Sequence, residues 1–141
     1  MMEPALAPPS RHVQRRMSAQ ARMGTDPELR IRRALFKQGL RYRCGYPVPG
    51  KPRRTIDVAF TKQKVAVFVD GCFWHGCPDH FIAPKSNSDW WLEKIRTNQR
   101  RDADTNAILE SAGWRVVRVW EHVGTDQATT AIASALRTPP S

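Results

Sequence analysis

The longest apolar stretch in the chain is Val65-Ala66-Val67-Phe68-Val69, and it constrains the fold more than any other feature. It is strand-length and falls far short of the ~18 to 20 residues that a membrane helix requires. A second apolar segment, Thr55-Ile56-Asp57-Val58-Ala59-Phe60, precedes it across the short polar turn Thr61-Lys62-Gln63. Two such segments at this spacing predict a hairpin in the core of a sheet. At 141 residues with 40% hydrophobic content, the chain can fill one core, which excludes full disorder. The first thirty residues hold Arg and Pro but no apolar stretch, so no signal peptide is read and a cytoplasmic location is expected.

Helical signals surround the hairpin. Thr25 or Asp26 can cap a helix, Pro27 suits its first turn, and Glu28 complements the positive N-terminal dipole. Leu29, Ile31, Leu35 and Phe36 give that helix an apolar side, from about 26 to 38, with Gly39 closing it. The segment Gly45 to Pro52 reads as turn-rich. A long helix is expected from Ser88 or Asp89 to about Ser111, stopped by Gly113. Its apolar positions include Trp91, Leu92, Ile95, Ala107, Ile108 and Leu109. Lys94, Arg96, Arg100 and Arg101 occupy its polar surface, with Lys94 a candidate binding residue. Trp114 to Trp120 reads as a third strand, followed by a helix from about Asp126 to Leu136. The layout is α/β. Residues 1–16 read as a disordered basic tail, 17–137 as the folded domain and 138–141 as a C-terminal tail.

Charge supplies the first functional constraint. With 23 Lys and Arg against 13 Asp and Glu, the net charge is +10, the electrostatic signature of a nucleic-acid binder. A solubilising charge excess is the plainer alternative. The three cysteines cannot all pair, and in a reducing compartment clustered cysteines mark metal sites more often than disulfides. Cys72, Cys77 and His80 form a C-x4-C-x2-H cluster, and His122 follows the third strand as a possible fourth zinc ligand. The alternative is that both cysteines are small core residues and both histidines are solvated. Cys44 stands apart as a spare thiol. His75, between the two cysteines, is left for another role.

Asp57 lies inside an apolar strand and Asp70 ends the next. A carboxylate there is costly unless it is paired, hydrogen-bonded or bound to a cation. Two converging carboxylates beside basic residues fit Mg2+ and phosphodiester hydrolysis. Pairing of Asp57 with Arg53 or Arg54, and a turn role for Asp70 with Gly71, is the alternative. Glu28 is either a further member of this site or a dipole partner only.

Several of these segments together carry a family resemblance. The run Val69-Asp70-Gly71-Cys72-Phe73-Trp74-His75-Gly76-Cys77-Pro78 is followed by Trp91-Leu92-Glu93-Lys94-Ile95, Asn98 and Arg101-Asp102. Gly113-Trp114-Arg115-Val116 and Trp120-Glu121 complete the set. From about Met17 to Val123 the chain resembles the very short patch repair (Vsr) mismatch endonucleases. The resemblance implies a restriction-endonuclease-like fold, in which helices flank a central mixed β-sheet and a structural zinc is bound. It also implies Mg2+-dependent nicking of double-stranded DNA on the 5′ side of the thymine in a T:G mismatch, as arises by deamination of 5-methylcytosine. Monomeric action, with mismatch-repair factors as further partners, completes the expectation.

By position, the resemblance makes Asp57 the central metal-binding aspartate, His75 the catalytic histidine and Glu28 the helix glutamate near it. Val69 offers its backbone carbonyl to Mg2+. Asp70 stands where better-known members have histidine, and is expected as a further Mg2+ ligand, with orientation of His75 as the alternative role. Cys72, Cys77, His80 and His122 make up the zinc set. Phe73, Trp74 and Trp91 match aromatics that the family inserts into the base stack, where unstacking is easiest at an imperfect pair. Arg15, Arg16 and Met17 match a mobile arm that orders on DNA. The rival readings are a zinc-stabilised DNA-binding module without catalysis and a restriction-type nuclease that cuts matched duplex.

Overall fold

A computed structural model describes residues 26–71 and 87–137 of the chain. Helix α1 (Asp26–Lys37) is followed by three antiparallel strands, β1 (Arg43–Val48), β2 (Lys51–Phe60) and β3 (Val65–Asp70). The long helix α2 (Ser88–Ser111) then leads to β4 (Arg115–Trp120), which lies parallel to β3, and α3 (Thr125–Arg137) closes the order. The sheet runs β1-β2-β3-β4. This is the expected mixed α/β architecture, with helices on both faces of a central sheet. No helix among the described residues is long and apolar enough to cross a membrane.

The apolar Val65–Val69 run is explained by where β3 sits. It has a strand on each side and a helical layer on each face. Val65 and Val67 pack with Ile31 and Leu35 of α1 and Ile132 of α3, whereas Ala66 and Phe68 pack with Leu109 of α2 and Trp114. A strand covered on both faces has no use for polar alternation. Thr61 to Lys64 turn the chain from β2 into β3, and Lys64 takes a left-handed φ of 55°, so the strand begins at Val65.

Three local expectations change. The turn-rich Gly45 to Pro52 segment is the β1–β2 hairpin, with Val48 paired to Lys51 across Pro49-Gly50. Pro47 is tolerated because β1 is an edge strand, where a missing N–H interrupts no inner ladder. Phe36 is not on the buried side of α1. Glu28, Ile31 and Leu35 share that side at helical spacing, while Phe36 is 55% exposed beneath the Arg41 guanidinium. Ala107 is exposed too, and Thr105 takes a buried place on α2. The limits of α2 and its stop before Gly113, at φ 86°, agree with the sequence reading. The expected tails lie outside the described residues.

Candidate active site

Strand β2 enters the sheet from the hairpin tip, and its ladder with β3 covers Val58–Val67, Ala59–Ala66 and Phe60–Val65. One residue before that ladder, a side chain replaces the backbone. The Val69 N–H donates to Asp57 Oδ2 at 2.9 Å. Asp57 therefore caps the end of β3 and is positioned by it. Burial pushes its carboxyl up to about 7, with the negative charges of Glu28 and Asp70 adding to the effect. The Val69 N–H and the Arg32 guanidinium act the other way without prevailing.

The two flanking carboxylates are each held by an arginine. Glu28 is buried on α1, and its Oε2 lies 2.7 Å from Arg32 Nη2 one turn later. The Tyr42 hydroxyl, donating to the Arg32 carbonyl at 2.7 Å, secures that turn. Arg32 Nε is buried with no hydrogen-bond partner among the described residues. Asp70 is 6% exposed, and Arg118 Nη1 lies 3.0 and 3.2 Å from its two oxygens. Asp57, by contrast, has no lysine or arginine at ion-pair distance among the described residues. The alternative partner Arg54 binds Asp104 at 2.6 Å and Thr105 at 3.1 Å.

Asp57, Val69, Asp70 and Glu28 are thus gathered at one end of the sheet, though not around one point. Asp70 is turned toward α2 through Arg118, while the other neighbours of Asp57 belong to β3 and α1. No group of three His, Cys, Asp or Glu side chains is placed to share a metal among the described residues. A zinc site is not seen there. Of its expected ligands only His122 is described, and it is exposed just past β4. Cys72, Cys77 and His80 lie outside the described residues, as do His75, Phe73, Trp74, Arg15, Arg16 and Met17. The parallel register brings β3 to its end beside that turn, for the Glu121 N–H donates to the Asp70 carbonyl at 2.9 Å. Gly71 lies next to Glu121. Gly71, the last residue described before Cys72, thus lies beside the turn that carries His122.

Trp91 departs from its expected wedge role as the fold stands. It is 1% exposed, and Trp90 is the half-buried member of the pair, edge-on to it with centroids 4.9 Å apart. Adjacent helical residues point about 100° apart, so only one of the two can be fully inside. Lys94 is exposed on α2, and Cys44 is an exposed free thiol on β1. The sequence reading missed Arg32 and Arg118. Each left a signal: Glu28 and Arg32 are spaced i,i+4 on one helix, and Arg118 interrupts the apolar strand Arg115–Trp120.

Comparison with known proteins identifies the family to which the chain belongs. Residues 7–79 match the family model described as DNA mismatch endonuclease Vsr. The chain is 48% identical over 128 residues to the type II nicking enzyme V.NaeI of Lentzea aerocolonigenes, covering 86% of this chain and 75% of that protein. It is 46% identical over 100 residues to the type II nicking enzyme V.NmeAIP of Neisseria meningitidis serogroup A, covering 69% and 68%. Identity to the DNA mismatch endonuclease Vsr of Escherichia coli K12 is 36% over 107 residues, covering 74% and 66%. With the family match running through Asp57 and on to residue 79, the chain belongs to the Vsr family of DNA mismatch endonucleases and is a DNA endonuclease.

Proposed function

We propose that the enzyme nicks one strand of duplex DNA on the 5′ side of the thymine in a T:G mismatch, with Mg2+ as its catalytic cation. The observation that carries this reading is Asp57, a half-buried carboxylate fixed by the Val69 N–H and lacking a cationic partner among the described residues. Such a group needs either a proton or a cation. Its oxygen chemistry suits a hard dication, and Asp57 with the Val69 carbonyl would hold Mg2+. When bound, the ion supplies positive charge against that which builds on the phosphate.

The chain's own groups perform the remaining work. In this reading His75 takes the proton of the attacking water and Glu28, held by Arg32, orients that histidine. Phe73 and Trp74 wedge into the base stack, and a T:G pair, being imperfect, opens at lower cost than a matched one. The exposed cations of α2, Lys94 and Arg101, contact phosphates. Cys72, Cys77, His80 and His122 are a zinc-competent donor set that would fasten the loop after β3 to the end of β4. Closeness of Gly71 to Glu121 supports that pairing of segments. The printed names of the relatives, nicking enzymes and a mismatch endonuclease, favour one-strand cutting.

The test uses matched and T:G duplexes, each labelled on one strand at a time, with Mg2+ or EDTA. A cut confined to the thymine strand of T:G duplex, abolished by EDTA, is the expected result, and equal cleavage of matched duplex would remove mismatch selectivity. Elemental analysis of the same preparation should find about one zinc per chain, and its absence would dismiss the structural zinc.

A further inference from the structure

Strand β4 alternates between the two helical layers. Val117 and Val119 pack toward α1 and α3, Val116 packs toward α2, and Arg118 therefore faces α2. Its guanidinium is engaged on several sides. Nε donates to Asn106 Oδ1 at 2.8 Å, Nη1 lies 3.7 Å from Asp102 Oδ1, and the group sits 4.2 Å over the Phe68 ring. From that seat Nη1 reaches both oxygens of Asp70 at 3.0 and 3.2 Å. With its side chain only 19% exposed, Arg118 is occupied by the protein, and a phosphate contact would break these bonds. Glu28 is held in a parallel way by Arg32 on the other side.

We propose that Arg118 is a positioning residue for the nicking reaction: it neutralises Asp70 and holds it against α2, so that Asp57 alone presents an unneutralised carboxylate to the divalent cation. This rests on the reading above that Asp57 holds such a cation. It also accounts for an aspartate at position 70, which serves here as half of an ion pair.

Calorimetric titration of Mn2+ or Mg2+ into the full chain, as wild type, Arg118→Met, Asp70→Asn and the double variant, decides the matter. Arg118→Met should tighten cation binding roughly three- to tenfold and Asp70→Asn weaken it by a similar factor, the size of one unit charge acting on a dication across several ångströms of high dielectric. The double variant should return to within about twofold of wild type, because the pair is neutral in both. A direct Asp70 ligand would instead leave the double variant as weak as Asp70→Asn. In nicking, Arg118→Met should lower kcat about tenfold with KM for duplex little changed, and Arg118→Lys should recover part of it by restoring charge without the forked geometry. A folded Arg118→Met with unchanged or weaker cation binding overturns the proposal, as does a double variant that stays weak. If Arg118→Met fails to fold, the double and Lys variants carry the same decision. Wild type that binds no cation sinks the Asp57 reading and this proposal with it, whereas cation binding that Arg118→Met leaves unmoved sinks this proposal alone.

Discussion

At Asp57 the folded chain keeps a proton up to about pH 7, whereas the unfolded chain releases it near the ordinary value of 3.8. Between these values the folded state binds more protons, so in the absence of metal, stability falls as pH rises through that window. Above pH 7 the whole penalty is present. Asp57→Asn removes it and keeps an acceptor for the Val69 N–H. A pKa unit corresponds to about 1.4 kcal/mol, and solvent reaching this half-buried side chain reduces that, so the variant should gain on the order of 1–3 kcal/mol at pH 8 in EDTA. The gain should shrink as pH falls toward the unfolded value of 3.8, below which both folded and unfolded wild type are largely protonated. Nicking should be lost at every pH. Urea melts in EDTA across pH, read beside nicking assays, check it; a variant no more stable than wild type at pH 8 would show that burial does not strain this carboxylate. If Asp57 holds a dication as proposed, function and stability oppose each other at this position, because a site built for a dication is a poor place for an unpaired anion.

Among the elements, those with a single dominant signal were legible. The two apolar segments gave β2 and β3, and the cap and glycine signals set the limits of α1 and α2 to within a residue or two. β1 was hidden because Gly45 and Pro47 carry turn signals, which an edge strand overrides without breaking an inner ladder. Asp57 and Asp70 were recognisable as carboxylates placed against the apolar pattern, but their partners were not. Arg118 and Asp70 are 48 residues apart, and only the parallel register of β3 with β4 makes them neighbours. The Trp90-Trp91 pair shows the same limit, since spacing requires one to face out without saying which. Its burial assigns Trp91 to packing, so Trp91→Ala should cost about 3–5 kcal/mol, the usual price of emptying a large aromatic site. Trp90→Ala should cost much less. Thermal or urea melts of both variants check this, and a Trp91→Ala protein as stable as wild type but blind to the mismatch would return Trp91 to the wedge role.

For the molecule as a whole, the positive charge and the reaction end answer different questions. Exposed cations are distributed over several elements, among them Arg30 and Arg33 on α1, Lys51 and Arg53 near the hairpin tip, and Lys94 and Arg101 on α2. Such groups read phosphates, which every duplex presents alike. On the proposed mismatch reading, discrimination comes from the part that meets the base pair, where apolar wedges would release no counterions. Affinity should therefore depend steeply on salt, and selectivity should not. With about five to nine phosphates neutralised, log Kobs should fall against log salt with a slope of about −4 to −8, roughly 10²- to 10⁵-fold from 50 to 200 mM. The ratio of T:G to matched affinity should stay constant over the same range. Fluorescence anisotropy on the two duplexes in EDTA, which permits binding without cleavage, measures both quantities at once. Parallel lines separated by a fixed interval are expected; lines that converge as salt rises would mean that extra phosphate contacts, formed only on the mismatched duplex, carry the selectivity.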